Sequence, residues 1–430
     1  MRAIPKLSIC VLAICQAAHA QTPPINLTLP DAMQRAKQYA QQIYTAAIAA
    51  QSAHEDTLQA KAALLPSASG LSQYIYTQPN GTLSGTFVSN DGPHVYNDQL
   101  LVHGEIYNPE KRAEYHRLQA AEAVARAKSD LAIRGLTATV VQNYYAMVSA
   151  QRKLANARQS VDEAQKLLDI TQKQERGGEV SHYDVVKAQI QLADRQRDLQ
   201  EGQLALDKSR LGFAVLLFPD FQQEYSVTDD LQSAPPLPAF TEIQTLASNN
   251  SPDIRAAQAT VQQQNFAFAE ARAGYLPSLS FDYFFGLNAN QFAIHNREGF
   301  NQLGNVAQAQ LTIPIWTWGT QKSKVRQAEL QLQQARNDLS FTQRQLLSNL
   351  NQFYREAEVA SAQRESLRQS MEWSQDGLRL TLLRYQAGES TILEVADAQI
   401  TLVQARNAYD DGLVRYRMAL AYLQTLTGVF

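Results

Sequence analysis

The sequence predicts a mainly helical chain with a small β part, made from one helix–strand–strand–helix unit written twice. Three observations predict it: an internal repeat near 210 residues, long seven-residue hydrophobic repeats, and two pairs of short alternating segments. The repeat has three anchors. Glu175-Arg176-Gly177-Gly178-Glu179, with Asp184-Val185 and Ala188-Gln189 behind it, returns 210 residues later as Tyr385-Gln386-Ala387-Gly388-Glu389, Glu394-Val395 and Ala398-Gln399. Leu65-Pro66-Ser67 returns as Leu276-Pro277-Ser278 at a spacing of 211, and Ile106-Tyr107 as Ile315-Trp316 at 209. A period that long is no solenoid; it marks a domain-sized unit, duplicated.

Composition narrows the class. The 430 residues are 45% hydrophobic and 18% charged, with formal net charge −3. That is too apolar for a disordered chain and too weakly basic for a nucleic-acid binder. Residues 1–20 read as a signal peptide: Arg2 and Lys6, the apolar run Leu7–Ala18, and a small-x-small end at Ala18-His19-Ala20, with Gln21 as the mature start. Cleavage takes the net charge from −3 to −5 and removes both cysteines, Cys10 and Cys15. An exported chain without disulfides must be held by packing or assembly. Ile14 before Cys15 argues against lipid modification. Beyond the leader no apolar run reaches the roughly 18 residues of a membrane helix.

Each unit reads in the same order. The first structural repeat spans 21–218: helix 30–64, strands 66–78 and 96–107, helices 110–176 and 179–217, with a Gly/Asn/Pro-rich loop (Pro79-Asn80-Gly81) between the strands. A Pro-rich linker follows at 219–239, carrying Pro219, Pro235, Pro236 and Pro238. The second repeat spans 240–430: helix 240–275, strands 277–289 and 303–316, helices 319–386 and 391–427.

The long helices carry heptads. Val140, Met147, Leu154, Val161 and Leu168 stand seven apart, as do Leu332, Leu339, Leu346, Phe353, Ala360 and Leu367. After the turns, Val185, Leu192, Leu199, Leu206 and Phe213 match Val395, Leu402, Tyr409, Tyr416 and Leu423. A seven-residue period calls for coiled-coil packing against a neighbour. Helices of this length extend about 100 Å at 1.5 Å per residue and belong to a hairpin or tube.

The strands add a second condition. Phe281, Tyr283, Phe285 and Leu287 alternate along one face, and Tyr74 and Tyr76 share their parity under the repeat. Alternation with an aromatic face suits a wall that is apolar outside and polar inside, and also suits a half-buried soluble sheet. Four strands cannot close a barrel, and an open sheet cannot sit in lipid, where its edge amides would lack partners. Strands that span a membrane here must be pooled between chains, and three chains give 12.

These residues resemble the TolC outer-membrane efflux family over about 25–428. The resemblance rests on the duplicated unit, the Leu-Pro-Ser pair, and the Gly-Glu-x-x-x-x-x-[Asp/Glu]-Val-x-x-Ala-Gln turns, most specifically Tyr385–Leu402. It implies a homotrimer in the bacterial outer membrane, with a 12-stranded β-barrel and a periplasmic α-helical barrel. It implies a passive exit duct of a tripartite efflux or type I secretion system, joined by a periplasmic adaptor to an inner-membrane pump. It places a gate at the helix tips, on Asp397 and Glu394 after the second turn and Asp184 after the first. A basic residue that pairs across the gate in some relatives falls at Ser390, so a salt-bridge latch is not expected there. The turns at Gly177, Gly178, Gly388 and Glu389 are the expected adaptor-docking sites, and Tyr74, Tyr76, Phe281, Tyr283, Phe285 and Leu287 the lipid-facing residues. Without the resemblance, acids three apart in a first helical turn also suit the helix dipole.

No cofactor, metal or nucleic-acid partner is expected, and no enzymatic activity. His54-Glu55-Asp56 and His182-Tyr183-Asp184 lack zinc-ligand spacing, and no phosphate-binding glycine loop or Gly-x-Ser-x-Gly turn occurs. Phe430 resembles a terminal barrel aromatic but follows a helix. The competing readings are a periplasmic adaptor, which usually has a single hairpin among β-rich domains, and a secreted enzyme, which needs a convergent polar site. The exported cargo and the class of partner pump are left open.

Overall fold

The computed structural model describes residues 25–76, 94–220, 223–233 and 235–428. The expected leader with Cys10, Cys15 and Gln21, the Pro79-Asn80-Gly81 loop and Phe430 lie outside the described residues. The elements run β1 (Ile25–Leu27), α1 (Leu29–Tyr39), α2 (Gln41–Ala62), β2 (Ser67–Tyr76), β3 (His94–Tyr107), α3 (Pro109–Arg176) and α4 (His182–Leu217). They continue as β4 (Tyr225–Val227), α5 (Phe240–Asn250), α6 (Pro252–Ala273), β5 (Ser278–Ala289), β6 (Leu303–Thr312), α7 (Thr320–Gln386) and α8 (Ile392–Thr427).

The two long helices, 68 and 67 residues, reach the length the heptads demand. Each expected seam faces inward. Val140, Met147, Leu154 and Leu168 on α3, Leu332, Leu346 and Ala360 on α7, and Val395, Leu402, Tyr416 and Leu423 on α8 are all buried. Three apolar clusters string along this bundle. One surrounds Tyr144, Tyr145 and Phe213 in the middle of α3, one surrounds Leu350, Ala357 and Leu420, and one joins the two tips. Each large side chain so buried contributes about 1.5–3 kcal/mol.

Two helices read as continuous are in fact broken. The expected 30–64 helix splits at Ala40, which is extended (φ −70, ψ 114) and starts α2 without a side-chain cap. The expected 240–275 helix splits at Ser251, also extended (φ −62, ψ 117). Pro252 disfavours the helical conformation for Ser251 and begins α6 at a first-turn position where its missing N–H costs nothing. The strand expected over 303–316 stops at Thr312, two residues before Pro314.

The expected linker 219–239 is a strap with structure of its own. Its β4 pairs in parallel with β1, Ile25 opposite Tyr225 and Leu27 opposite Val227. Tyr144 donates from its hydroxyl to the Thr228 carbonyl (2.6 Å). Arg152 of α3 binds Asp229 of the strap by a fork (2.5 and 3.0 Å) and Asp410 of α8 (2.7 Å). Arg417 of α8 pairs with Asp230. Burial opposes the ionisation of Asp229, but Arg152 and the Leu231 N–H outweigh it and hold the carboxyl below its ordinary range.

The main sheet is antiparallel in the order β2-β3-β5-β6, so the two repeats meet at β3–β5 and leave β2 and β6 as edges. Register assigns its faces. Tyr283 lies between Val102 and Ala307, Phe285 between Leu100 and Asn305, and Tyr74 opposite Tyr96. Tyr74, Tyr76, Phe281, Tyr283, Phe285 and Leu287 therefore share one face. The other face carries Ser67, Ser69, Gln73, Asn97, Gln99, His103, Asp282, Gln308 and Gln310. Gly286 is required where two backbones close in: a Cβ there would collide with the Asp98 carbonyl oxygen and the Gln99 Cα.

Candidate functional site

The two helical hairpins end side by side. Each turn uses one left-handed glycine, Gly178 and Gly388, both at φ 77. Each closes by two backbone bonds: Gly178 and Glu179 N–H donate to the Glu175 and Gln174 carbonyls, and Gly388 and Glu389 N–H to the Tyr385 and Arg384 carbonyls. This is a helix-ending motif that a residue with positive φ completes, so glycine is the economical choice. Gly177 needs no such freedom; it ends α3 in a right-handed conformation.

The first residues after each turn differ in chemistry. Asp184 forms a capping box, its Oδ2 accepting from the Ser181 N–H (3.1 Å) and hydroxyl (3.0 Å). In the second tip Thr391 caps α8 by accepting from the Glu394 N–H (3.3 Å). Ser390, the uncharged residue at the expected latch position, donates its hydroxyl to the Glu394 carboxylate. Arg384 donates to the Glu389 carbonyl (3.2 Å). Glu394 and Asp397 are both exposed, three residues apart on the first turns of α8. The structure therefore brings Glu394 and Asp397 onto one exposed surface, with Asp184 engaged in its own helix cap.

What fastens one tip to the other was not visible in the sequence motifs. Val185, Ala188, Tyr385, Ile392 and Val395 form one buried cluster with Leu167 and Leu168. Inside it Gln174 donates to the carbonyls of Tyr385 (3.3 Å) and Gln386 (3.4 Å), and the Tyr385 hydroxyl donates to Thr171 (3.2 Å). Burial raises the Tyr385 phenol above its ordinary range; the Thr171 bond opposes this and the Asp184 charge adds to it. Higher up, Gln399 accepts from Gln191 (2.7 Å) and donates to the Glu163 carbonyl (3.2 Å), and Arg406 pairs with Glu163 (3.0 Å). The signal was there in principle. Leu167, Thr171 and Gln174 stand at i, i+4 and i+7, so polar groups occupy a stripe that the heptads mark as buried.

His54 and His182 pair with distant carboxylates, Glu122 (3.0 Å) and Glu175 (2.7 Å), and not with the acids beside them in sequence. Among the described residues no three His, Cys, Asp or Glu side chains converge to hold a metal ion. No helix of the described residues is long and apolar enough to cross a membrane.

The model of the outer membrane efflux protein family matches twice, over residues 32–217 and 244–429. The chain is 24% identical over 297 residues to the cobalt-zinc-cadmium resistance protein CzcC of Cupriavidus metallidurans, covering 68% of each. It is similar in fold to the CmeC outer membrane channel of Campylobacter jejuni, with TM-score 0.82 and 17% identity over 93% of this chain and 85% of that one. The outer membrane protein VceC of Vibrio cholerae gives TM-score 0.81 and 17% identity over 93% and 96%. The two matched segments fall within the repeats expected at 21–218 and 240–430 and together cover most of the chain, which belongs to the outer membrane efflux protein family.

Proposed function

We propose that three copies of this chain close into one passive exit duct, the outer-membrane channel of a tripartite efflux or type I secretion system. The observation that carries this reading is the pair of unfinished edges. On one side stand β6 and the α7 that follows it; on the other stand β2 and α4. Both helices keep a second apolar stripe in the open: Tyr183, Ile190, Leu204 and Leu211 on α4, and Phe341, Trp373, Leu380 and Leu383 on α7. A head-to-tail ring satisfies all four edges at once, and three chains of four strands pool 12.

In that ring the face with Tyr74, Tyr76, Phe281, Tyr283 and Phe285 meets lipid, Leu287 on the same face being covered within its own chain (6% exposed), and the opposite face lines the lumen. The duct stands in the outer membrane with its helical part in the periplasm. Glu394 and Asp397 then repeat three times around the narrow end, with Asp184 behind them, and form an acidic gate that favours cations. The exposed turns at Gly177, Gly178, Gly388 and Glu389 are the docking points for a periplasmic adaptor, which couples the duct to an inner-membrane pump. The duct itself performs no chemistry.

Planar-bilayer recording tests the gate. Glu394→Ala with Asp397→Ala is expected to weaken cation selectivity and block by divalent cations; unchanged selectivity and block would refute the gate. Substitutions at 177–181 or 387–391 in a still-assembled protein are expected to abolish adaptor pull-down, and retention of the adaptor would refute the docking role.

A further inference from the structure

One polar wall of the sheet holds a charge cluster that the gate does not use. Of the described residues on that wall only His103, Glu105 and Asp282 are ionisable; the rest are serines, asparagines, glutamines, a terminal threonine, glycines and a few apolar side chains. All three sit at the end of the sheet nearest the helices. His103 Nδ1 lies 2.6 Å from Asp282 Oδ1 across the β3–β5 seam, and His103 Nε2 lies 3.4 Å from Glu105 Oε1. Glu105 also accepts from Lys111 Nζ (2.7 Å) and from Asn108 (3.2 Å) at the start of α3. Across β2, His103 faces the neutral Ser67.

Both ring nitrogens thus face carboxylate oxygens, and only the imidazolium can donate at both. The two carboxylates hold opposite ends of one ring, so they do not converge as metal ligands. With an imidazolium, the Lys111 ammonium and two carboxylates, the cluster is neutral. With a neutral imidazole it carries one negative charge per chain. Imidazole is the side chain whose charge changes nearest neutral pH.

We propose that His103, with Glu105 and Asp282, is a second selectivity element of the duct, inside the barrel and set by pH. The inference rests on the duct reading, because the cluster matters only if the polar wall encloses a lumen. Repeated by three, the cluster switches from neutral to three negative charges as pH rises. With no other ionisable group among the described residues of that wall, the change weighs directly on the local field, and a negative ring in a pore favours cations. Export of cations through the barrel is then favoured on the alkaline side, and anionic solutes lose a barrier on the acid side.

Reversal potentials of the assembled protein in a KCl gradient, at pH 5 and pH 8, test this. The wild type is expected to show a higher K+ to Cl− permeability ratio at pH 8 than at pH 5. His103→Gln should hold the pH 8 ratio at both pH values. Asp282→Asn, which leaves the cluster one charge more positive, should lower the ratio below wild type at both. A wild type that conducts with the same ratio at pH 5 and 8, or a step that survives in His103→Gln, overturns the inference and leaves the duct reading standing. A protein that inserts and never conducts overturns the duct reading, and this one with it.

Discussion

The two repeats have the same backbone plan but unequal surroundings. In the first, α3 packs on α1, α2, α4, α6 and α8 and buries eighteen residues; in the second, α7 packs on α5, α6 and α8 and buries nine. The strand-to-helix joints differ too. Asn108 caps α3 with its side chain and Pro109 starts it, whereas α7 is reached through two left-handed residues, Trp318 (φ 52) and Gly319 (φ 84). Duplication thus fixes the shape of a unit, while position in the chain decides how much of it is covered. The long helix of the first repeat is covered largely by its own chain, although α4 and β2 beside it stay open. The second leaves Phe341, Trp373, Leu380 and Leu383 of its long helix exposed.

The largest effect should come from the covered helix. Tyr144 is 1% exposed, packs edge-on to Tyr145 and Phe213, and anchors the strap. Tyr144→Ala is expected to cost about 3–5 kcal/mol in urea unfolding; a cost below 1 kcal/mol would mean that α3 is not the core the packing implies. Next comes the strap itself. Arg152→Ala leaves Asp410, whose side chain is 10% exposed, with its Asn156 bond (2.9 Å) but without its guanidinium, at a cost of about 1–3 kcal/mol at pH 7. Its pH dependence has a fixed sign. Asp229 is held below its ordinary range, so its contribution is present above about pH 4 and lost as pH falls through the lower folded value. Acid should therefore narrow the gap between wild type and Arg152→Ala, and a gap that widens toward pH 3 contradicts the assignment.

The comparison predicts equality where the repeats are equal. Gly178→Ala and Gly388→Ala place a Cβ at the same φ of 77 with open space around it. Each should cost about 1–2 kcal/mol, the same within error. Thermal midpoints that differ by several degrees would show that the two turns are not equivalent. The smallest effect belongs to the exposed side chains. Trp373 is 70% exposed, so Trp373→Ala should change the stability of the chain by no more than about 0.5 kcal/mol. Its consequence should instead show in the fraction of protein running as an assembled species on a mild gel.

Periodicity made most of this fold legible. A heptad of apolar residues reports a buried seam whatever partner provides the burial, and every expected seam is buried or half-buried. Strand parity likewise placed six residues on one face before the register was known. Breaks and cross-links were harder. Nothing in Gln38-Tyr39-Ala40-Gln41 marks a helix end, yet Ser251-Pro252 does, 211 residues on, at the spacing of the Leu-Pro-Ser anchor. Carrying the second break back through the repeat would have found the first. The strap has the sequence of a linker because β4 is three residues long and its partner β1 lies 200 residues away. The Gln174–Tyr385 link and the His103–Asp282 pair join the two repeats across 211 and 179 residues, so helical spacing can mark Gln174 as buried but cannot name its partner.

Ring closure is tested most directly by counting copies. Native mass spectrometry of the detergent-extracted protein should find three chains and no larger series, because β6 with α7 of one copy satisfies β2 with α4 of the next and the third copy returns to the first. A stable monomer, or an open ladder of masses, would contradict it.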